Sequence, residues 1–259
     1  MDRVAFSIGN LDIYWYGLII CLAIIVSIAV ACYYCKKRNY ATDLPINIAL
    51  VILPTGILAG RLFAVLFDSS LVIQDYFDFR SGGMSIIGAI IGGGLALTIY
   101  CLIKKEKNPL LLFDTLCVAL ILAQAIGRWG NFVNEEVYGQ LITNESLQFF
   151  PIAVKIGGQY YEALFFYESV LNLIGFAGLS VLFLKEKQCG YCTALYLIYY
   201  GIVRTILEPR RNAAYILHAS SLMISKVCSI LMIVAGAILL IVLIAKKSKK
   251  KEVKDGQKN

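Results

Sequence analysis

The chain has 259 residues, of which 59% are hydrophobic and 16% charged, and its formal net charge is +7. Soluble globular chains carry about a quarter charged residues, so this composition excludes an ordinary soluble domain. The apolar residues also fall in blocks of about 20, the length that crosses a bilayer.

Seven apolar runs cover residues 11–34, 45–68, 83–103, 109–126, 163–184, 190–207 and 222–245. They predict an all-α, polytopic integral membrane protein with seven transmembrane helices. The first run is full length and lacks a small-residue cleavage site, so it reads as a span and not as a removed signal. Lys36, Lys37 and Arg38 follow the first run, Lys104, Lys105 and Lys107 the third, and Lys185 and Lys187 the fifth. With the lysines after residue 245, these charges fall on one face, which the positive-inside rule makes cytoplasmic. The N-terminus is then outside and the C-terminus inside. Residues 1–245 form one transmembrane catalytic domain with an outer loop at 127–162, and residues 246–259 a basic cytoplasmic tail. The net charge needs no nucleic acid to explain it, since it sits in cytoplasmic loops and a tail that suits anionic lipid. No zinc-finger spacing or aromatic RNA-binding signature is present.

Polar residues enter the apolar runs at a few places. The first run opens with Tyr14-Trp15-Tyr16-Gly17, where Tyr14 and Trp15 suit an interfacial belt and Tyr16 a cavity. Arg61 in the second run lies about two helical turns from the outer end, deeper than an anchor. The third run, Gly82 to Gly94, is rich in small residues; these either pack neighbouring helices or leave a groove for an incoming one. Asp114 near the start of the fourth reads as a cap or a loop partner. Glu168 and Asn172 share one face of the fifth, and Tyr200, Arg204 and Glu208 one stripe of the sixth, before Pro209. The eight cysteines include two C-x-x-C pairs, Cys32 with Cys35 and Cys189 with Cys192; a four-thiolate zinc site is conceivable, but no metal is assigned.

The richest stretch is Gly127-Arg128-Trp129-Gly130-Asn131-Phe132-Val133-Asn134-Glu135-Glu136-Val137-Tyr138-Gly139, set just past the fourth run. Glycine, asparagine and carboxylate interleaved at this density suit backbone approach to a polar ligand. Arg128 and Arg204 stand at the same outer level, and two guanidinium forks suit a phosphate, which at that depth belongs to a lipid headgroup.

The stretch resembles the signature G-R-x-G-N-F-x-N-x-E-x-x-G of the bacterial prolipoprotein diacylglyceryl transferases. Trp15-Tyr16-Gly17, Gly60-Arg61, Gly82-Gly83-Met84-Ser85, Tyr167-Glu168 with Asn172, and Tyr200-Gly201 through Arg204, Glu208 and Arg211 also match, in the family's order. The resemblance implies transfer of the diacylglyceryl group of phosphatidylglycerol to the lipobox cysteine of a prolipoprotein signal peptide, in the bacterial cytoplasmic membrane and without a cofactor. It implies catalytic roles for Arg128, Arg204, Glu136, Glu208 and Tyr200, and substrate binding by Tyr16, Arg61, Asn131, Asn134, Gly139 and Arg211.

The chain departs from the family at two places. Ile87 stands where a histidine or tyrosine is usual, and Glu162-Ala163 replaces a His-Pro pair. The one histidine, His218, has no neighbouring motif. Three readings follow: an active transferase in which a carboxylate such as Glu136 or Glu208, a tyrosine or the leaving phosphate takes the thiol proton, a diverged relative that binds anionic lipid or signal segments, and a transporter.

Overall fold

Blocks of apolar residues about 20 long fold as helices in lipid because each backbone N–H and C=O must be satisfied within its own segment. The computed structural model, which describes residues 3–9, 11–67, 76–77, 85–106, 108–186, 188–212 and 219–256, follows that rule. Its helices are α1 (Trp15–Lys37), α2 (Leu44–Phe67), α3 (Ile86–Ile103), α4 (Pro109–Val133), α5 (Leu164–Lys185), α6 (Tyr191–Leu207) and α7 (Ala219–Gly256). Two small antiparallel hairpins, β1 (Val4–Ile8) with β2 (Leu11–Tyr14) and β3 (Ala153–Ile156) with β4 (Gln159–Glu162), lie before α1 and between α4 and α5.

Five helices are long and apolar enough to cross a membrane, and α3 contributes a shorter apolar stretch, Gly88–Ile103. Large side chains such as Ile25, Leu50, Leu102, Ile174 and Ile241 stand exposed along them, on a scale that water would not tolerate. The protein is a polytopic helical membrane protein.

α4 is the central helix. It packs against α1, α5, α6 and α2, and 50% of its apolar window is buried, against 17% for α7. Around it stand two close pairs, α2 with α3 and α6 with α7. Glycines set both. A Cβ at Gly92 would fall 2.1 Å from the Ala59 Cβ, and one at Gly88 2.4 Å from the Phe63 Cβ. These two glycines of α3 are therefore filled by α2 and leave no groove there for an incoming helix. A Cβ at Gly201 would meet the Ser229 carbonyl at 2.8 Å, and one at Gly236 the Ala194 carbonyl at 2.7 Å, which draws α7 onto α6.

Asp114 is a cap, but of another helix. Its carboxylate, buried on α4, accepts from the Gly190 N–H at 2.6 Å, the Thr193 N–H at 2.8 Å and the Thr193 hydroxyl at 2.6 Å. It thus satisfies donors left over at the N-terminus of α6 and pins α6 to α4 from below.

Several boundaries differ from those read off the apolar runs. Residues 11–14 belong to β2, because the alternation Leu-Asp-Ile-Tyr favours a strand; α1 starts at Trp15. α4 does not stop at Ile126 but continues to Val133, so the connection from α4 to α5 is shorter than 127–162 and holds a hairpin. α7 continues beyond residue 245, carrying the basic tail as helix to Gly256, and Lys247 reaches Glu186 at 2.8 Å.

Candidate functional site

The richest stretch of the sequence begins as helix. From Gly127 to Val133 nothing interrupts the hydrogen-bond ladder, and Gly130 is needed for packing: a Cβ there would stand 2.7 Å from Tyr16 Cδ2. Helical geometry puts Arg128 and Asn131 on one face, where the Arg128 Nη1 donates to Asn131 Oδ1 at 3.3 Å.

α4 then ends in a Schellman motif. The Glu136 N–H donates to the Asn131 carbonyl at 3.0 Å and the Glu135 N–H to that of Phe132 at 3.1 Å. This closure needs a left-handed residue, and Glu135 supplies it with φ of 54°, followed by Val137 at 57°. Neither is glycine, and a β-branched residue there is strained, at a cost on the order of 1–3 kcal/mol. The reversal turns Glu136 back onto the helix, so its Oε1 accepts from Asn131 Nδ2 at 3.0 Å and Asn134 Nδ2 at 3.4 Å.

α5 and α6 complete the site. α5 is locked to α4 where the Ser169 hydroxyl donates to the Ala125 carbonyl at 2.8 Å, and this register aims Glu168 at Arg128. The two form a charged hydrogen bond, while Arg204 Nη1 of α6 lies 3.9 Å from the same Glu168 oxygen. Arg204 also pairs with Glu208 at 2.5 Å, and Glu208 with Arg211 at 3.4 Å. Although α6 ends at Leu207, a 3-10 turn through Glu208–Arg210 keeps Glu208 on the Arg204 side.

Tyr200, one turn below Arg204, stacks on Tyr196 with centroids 5.6 Å apart and lies beside Arg128. Tyr196 in turn accepts from Gln124 at 3.0 Å. Arg211, past the end of α6, is pulled down to about 10 by burial and by the neighbouring Arg204, so it remains a cation in the neutral range.

Three guanidiniums and two carboxylates thus form one connected network, nearly buried, with Glu136 reached through the amide of Asn131. Side-chain exposure is 15% at Arg128, 17% at Arg204 and 5% at Glu168. With Glu136 counted, three guanidiniums and three carboxylates balance, and what suits the network to an anion is its set of fixed guanidinium donors at the end of an apolar bundle.

The structure brings together most of the residues singled out in the sequence: Tyr16, Arg128, Asn131, Asn134, Glu136, Tyr200, Arg204, Glu208 and Arg211. Gly139 stands at the margin, its N–H donating to the Glu162 carbonyl at 2.9 Å and its α-carbon against the Glu162 side chain. Glu162 pairs with Arg210 at 3.5 Å. Arg61 is fully buried on α2, in the α2–α3 pair. His218 and the segment Gly82 to Met84 lie outside the described residues, as does the side chain of Ile87.

Glu168 is the residue that sequence reasoning left without a role. A carboxylate four residues before an asparagine in an apolar run was its signal; that it joins two arginines from different helices depends on how the helices meet. The C-x-x-C cysteines go elsewhere. Cys35 faces the Thr115 hydroxyl at 4.0 Å, and Cys192 donates to the Leu179 carbonyl at 3.7 Å. No group of three or more His, Cys, Asp or Glu among the described residues is placed to hold a metal ion.

Comparison with known proteins gives one answer. A family model described as "Prolipoprotein diacylglyceryl transferase" matches residues 3–242. Among curated relatives, a protein of Clostridium botulinum (strain Loch Maree / Type A3) is 36% identical over 245 residues, covering 90% of this chain and 94% of its own. One of Finegoldia magna is 37% identical over 242 residues, with 92% and 94% covered. One of Streptococcus uberis is 33% identical over 247 residues, with 92% and 93% covered. All three carry the name phosphatidylglycerol–prolipoprotein diacylglyceryl transferase.

Proposed function

The chain belongs to the prolipoprotein diacylglyceryl transferase family, and we propose that the arginine–carboxylate network at the ends of α4, α5 and α6 is its active site. There it transfers the diacylglyceryl group of phosphatidylglycerol to the lipobox cysteine of a prolipoprotein, the first step of lipoprotein maturation. The observation that carries this assignment is the sharing of one Glu168 oxygen by Arg128 and Arg204, which holds two guanidiniums from different helices at one level.

In the step, the cysteine sulfur attacks the glyceryl carbon that bears the phosphate. The S–C bond forms, the C–O bond to phosphate breaks, and the phosphate oxygen takes the electron pair and leaves as glycerol-1-phosphate. Charge grows on that oxygen, so donors fixed in advance stabilise the transition state more than the ground state. Each guanidinium has five N–H donors, enough to hold its carboxylate and still grip the phosphate. Arg211, tied to Glu208, adds a third cation behind Arg204.

The thiol proton must go to a base. Glu168 and Glu208 would each have to loosen from a guanidinium to accept it. Glu136 is held by two neutral amides and forms no ion pair among the described residues, so protonation there breaks none. Glu136 is therefore the acceptor, with Asn131 and Asn134 holding it beside Arg128. Tyr16 and Tyr200 line the lipid side of the cluster.

The helices form seven spans with the N-terminus outside, which puts the network at the outer face of a bacterial cytoplasmic membrane. Signal peptides present their cysteine at that level. Purified protein incubated with phosphatidylglycerol and a lipobox peptide should add the diacylglyceryl mass to the peptide. No mass gain, with the protein folded and the lipid bound, would overturn the assignment.

A further inference from the structure

The connection from α4 to α5 exposes what a water-facing loop hides. Leu147, Phe149 and Phe150 are 40%, 52% and 54% exposed within four residues. The tip they form is firmly built. Asn144 caps the 3-10 turn Glu145–Leu147 by accepting from the Ser146 N–H at 3.1 Å, and Gln148 Nε2 donates to the Ile142 carbonyl at 3.0 Å. The Phe149 carbonyl accepts from the Ile152 and Ala153 N–H groups at 2.9 and 2.8 Å, and the Ile152 carbonyl from the Tyr167 hydroxyl at 2.7 Å. These polar groups bond within the protein, while the apolar side chains point out of it.

The tip also joins a membrane-spanning surface. The Phe150 ring lies 4.9 Å from that of Phe166 in the first turn of α5, and the Phe166 ring 6.3 Å from that of Trp129. Trp129 is exposed and stands one turn before the end of α4. Both α4 and α5 are long and apolar enough to cross the membrane. Rings at their ends therefore stand at the edge of the bilayer, where aromatic side chains collect. One row of rings runs from the two helices into the loop.

We propose that the tip at 147–150 is seated in the bilayer, at the boundary between headgroups and acyl chains, on the side where α4 ends and α5 begins. An apolar patch of this kind is out of place in water, and lipid is the apolar phase it already adjoins. A second copy of the chain fits poorly. Three half-exposed side chains offer roughly 300 Å2, well below the 800 Å2 or so that each partner buries in a stable interface. A backbone that answers its own hydrogen bonds suits a place where water is scarce. The seat bears on the site as well. The Gly139 and Ile142 N–H groups donate to the Glu162 and Tyr160 carbonyls at 2.9 and 2.8 Å, which ties the segment after Glu136 to the hairpin beside the tip. Lipid contact at the tip thus sets the depth at which the turn presents Glu136.

Spin labels test this in a cysteine-free protein reconstituted in vesicles of phosphatidylcholine and phosphatidylglycerol. Labels at Leu147→Cys and Phe149→Cys would be compared with Glu145→Cys in the same turn and Ile174→Cys midway along α5, all at exposed side chains. Power saturation reads collision with oxygen, which concentrates in lipid, and with a water-soluble nickel chelate. The labels at 147 and 149 should favour oxygen, as the one at 174 does, and the label at 145 the chelate, so the preference reverses within two residues. A preference at 147 and 149 like that at 145 overturns the proposal. So does low collision with both reagents, which would mean that protein covers the tip. Phe149→Trp keeps a ring in place and gives a second reading. Its added emission should be quenched by phosphatidylcholine brominated near the carbonyl end of its chains, and quenching by aqueous iodide instead overturns the seat in lipid.

Discussion

Glu168→Gln is the substitution that bears hardest on the proposed active site. It keeps the shape of the side chain and an acceptor for Arg128 but removes the one charge that Arg128 and Arg204 share. At 3.9 Å and an effective dielectric of about 20, the attraction to Arg204 alone is about 4 kcal/mol before desolvation. Breaking a buried ion pair by deleting one partner costs about 3–5 kcal/mol. The low end applies, because both arginines keep some exposure and Arg204 retains Glu208. A loss of about 3 kcal/mol in the lipid-free protein corresponds to an unfolding temperature lower by about 6–12 °C for a chain of this size.

A bound phosphate changes the sign of the comparison. With lipid present its own negative charge takes the place of Glu168, so phosphatidylglycerol should protect the variant more than the parent and its KM should fall. Turnover should still drop about tenfold, because guanidiniums no longer pinned by Glu168 must be reordered in each cycle. Thermal unfolding in detergent, with and without the lipid, reads the first effect, and steady-state transfer the second. Unfolding at the parent's temperature, or equal protection of both proteins, would refute the idea of a shared anchor. So would additivity of Glu168→Gln with Arg204→Gln, since groups in contact must couple.

Arg128→Lys and Arg204→Lys should each lower kcat/KM on the order of a hundredfold, because an ammonium cannot reproduce the two-pronged grip; near-full activity in both would remove the phosphate clamp. Glu136→Gln should abolish most activity near neutral pH and recover part of it as pH rises toward the thiol's own pKa of about 8.5, whereas a pH-independent loss would make Glu136 a positioning residue. In a cysteine-free background, Glu145→Cys should react with an impermeant thiol reagent from outside and Lys105→Cys should not; the reverse pattern inverts the topology. Asp114→Ala should cost about 3 kcal/mol of stability by orphaning the Gly190 and Thr193 N–H groups, with little change in KM for lipid, and a denaturation series on the two proteins measures it.

Much of this was legible in the sequence, for identifiable reasons. Apolar blocks of bilayer length specify helices almost regardless of detail, and an i, i+4 stripe such as Tyr200, Arg204 and Glu208 survives any shift in the helix ends. The hairpins carried local signals that the apolar count overrode. Gly157-Gly158, with φ of 57° and 88°, is a two-residue loop of the kind that closes a hairpin, between Ala153–Ile156 and Gln159–Glu162. The apolar run ends at Ile126 because polar residues begin there, yet α4 runs on to Val133. Gly130 is in fact a packing residue under Tyr16, and the helix stops only where Glu135 turns left-handed.

What a sequence cannot carry is which faces meet. Glu168 and Asn172 are visible as one helical face, but nothing in their spacing says that the face lies between α4 and α6. That follows from tertiary locks: the Ser169 hydroxyl on the Ala125 carbonyl, Asp114 on the start of α6, and Gly175 against Tyr199 and Ile121. Each is a short-range contact between residues unremarkable in themselves, and together they set three helices in register. The register decides the chemistry. One residue of slip at Ser169 would rotate Glu168 about 100° around α5, taking it off both arginines and leaving Arg128 without its carboxylate while Arg204 keeps Glu208. The polar site and its plain packing contacts are therefore one construction, and substitutions at Ser169 or Gly175 should be felt at the phosphate although neither residue can touch it.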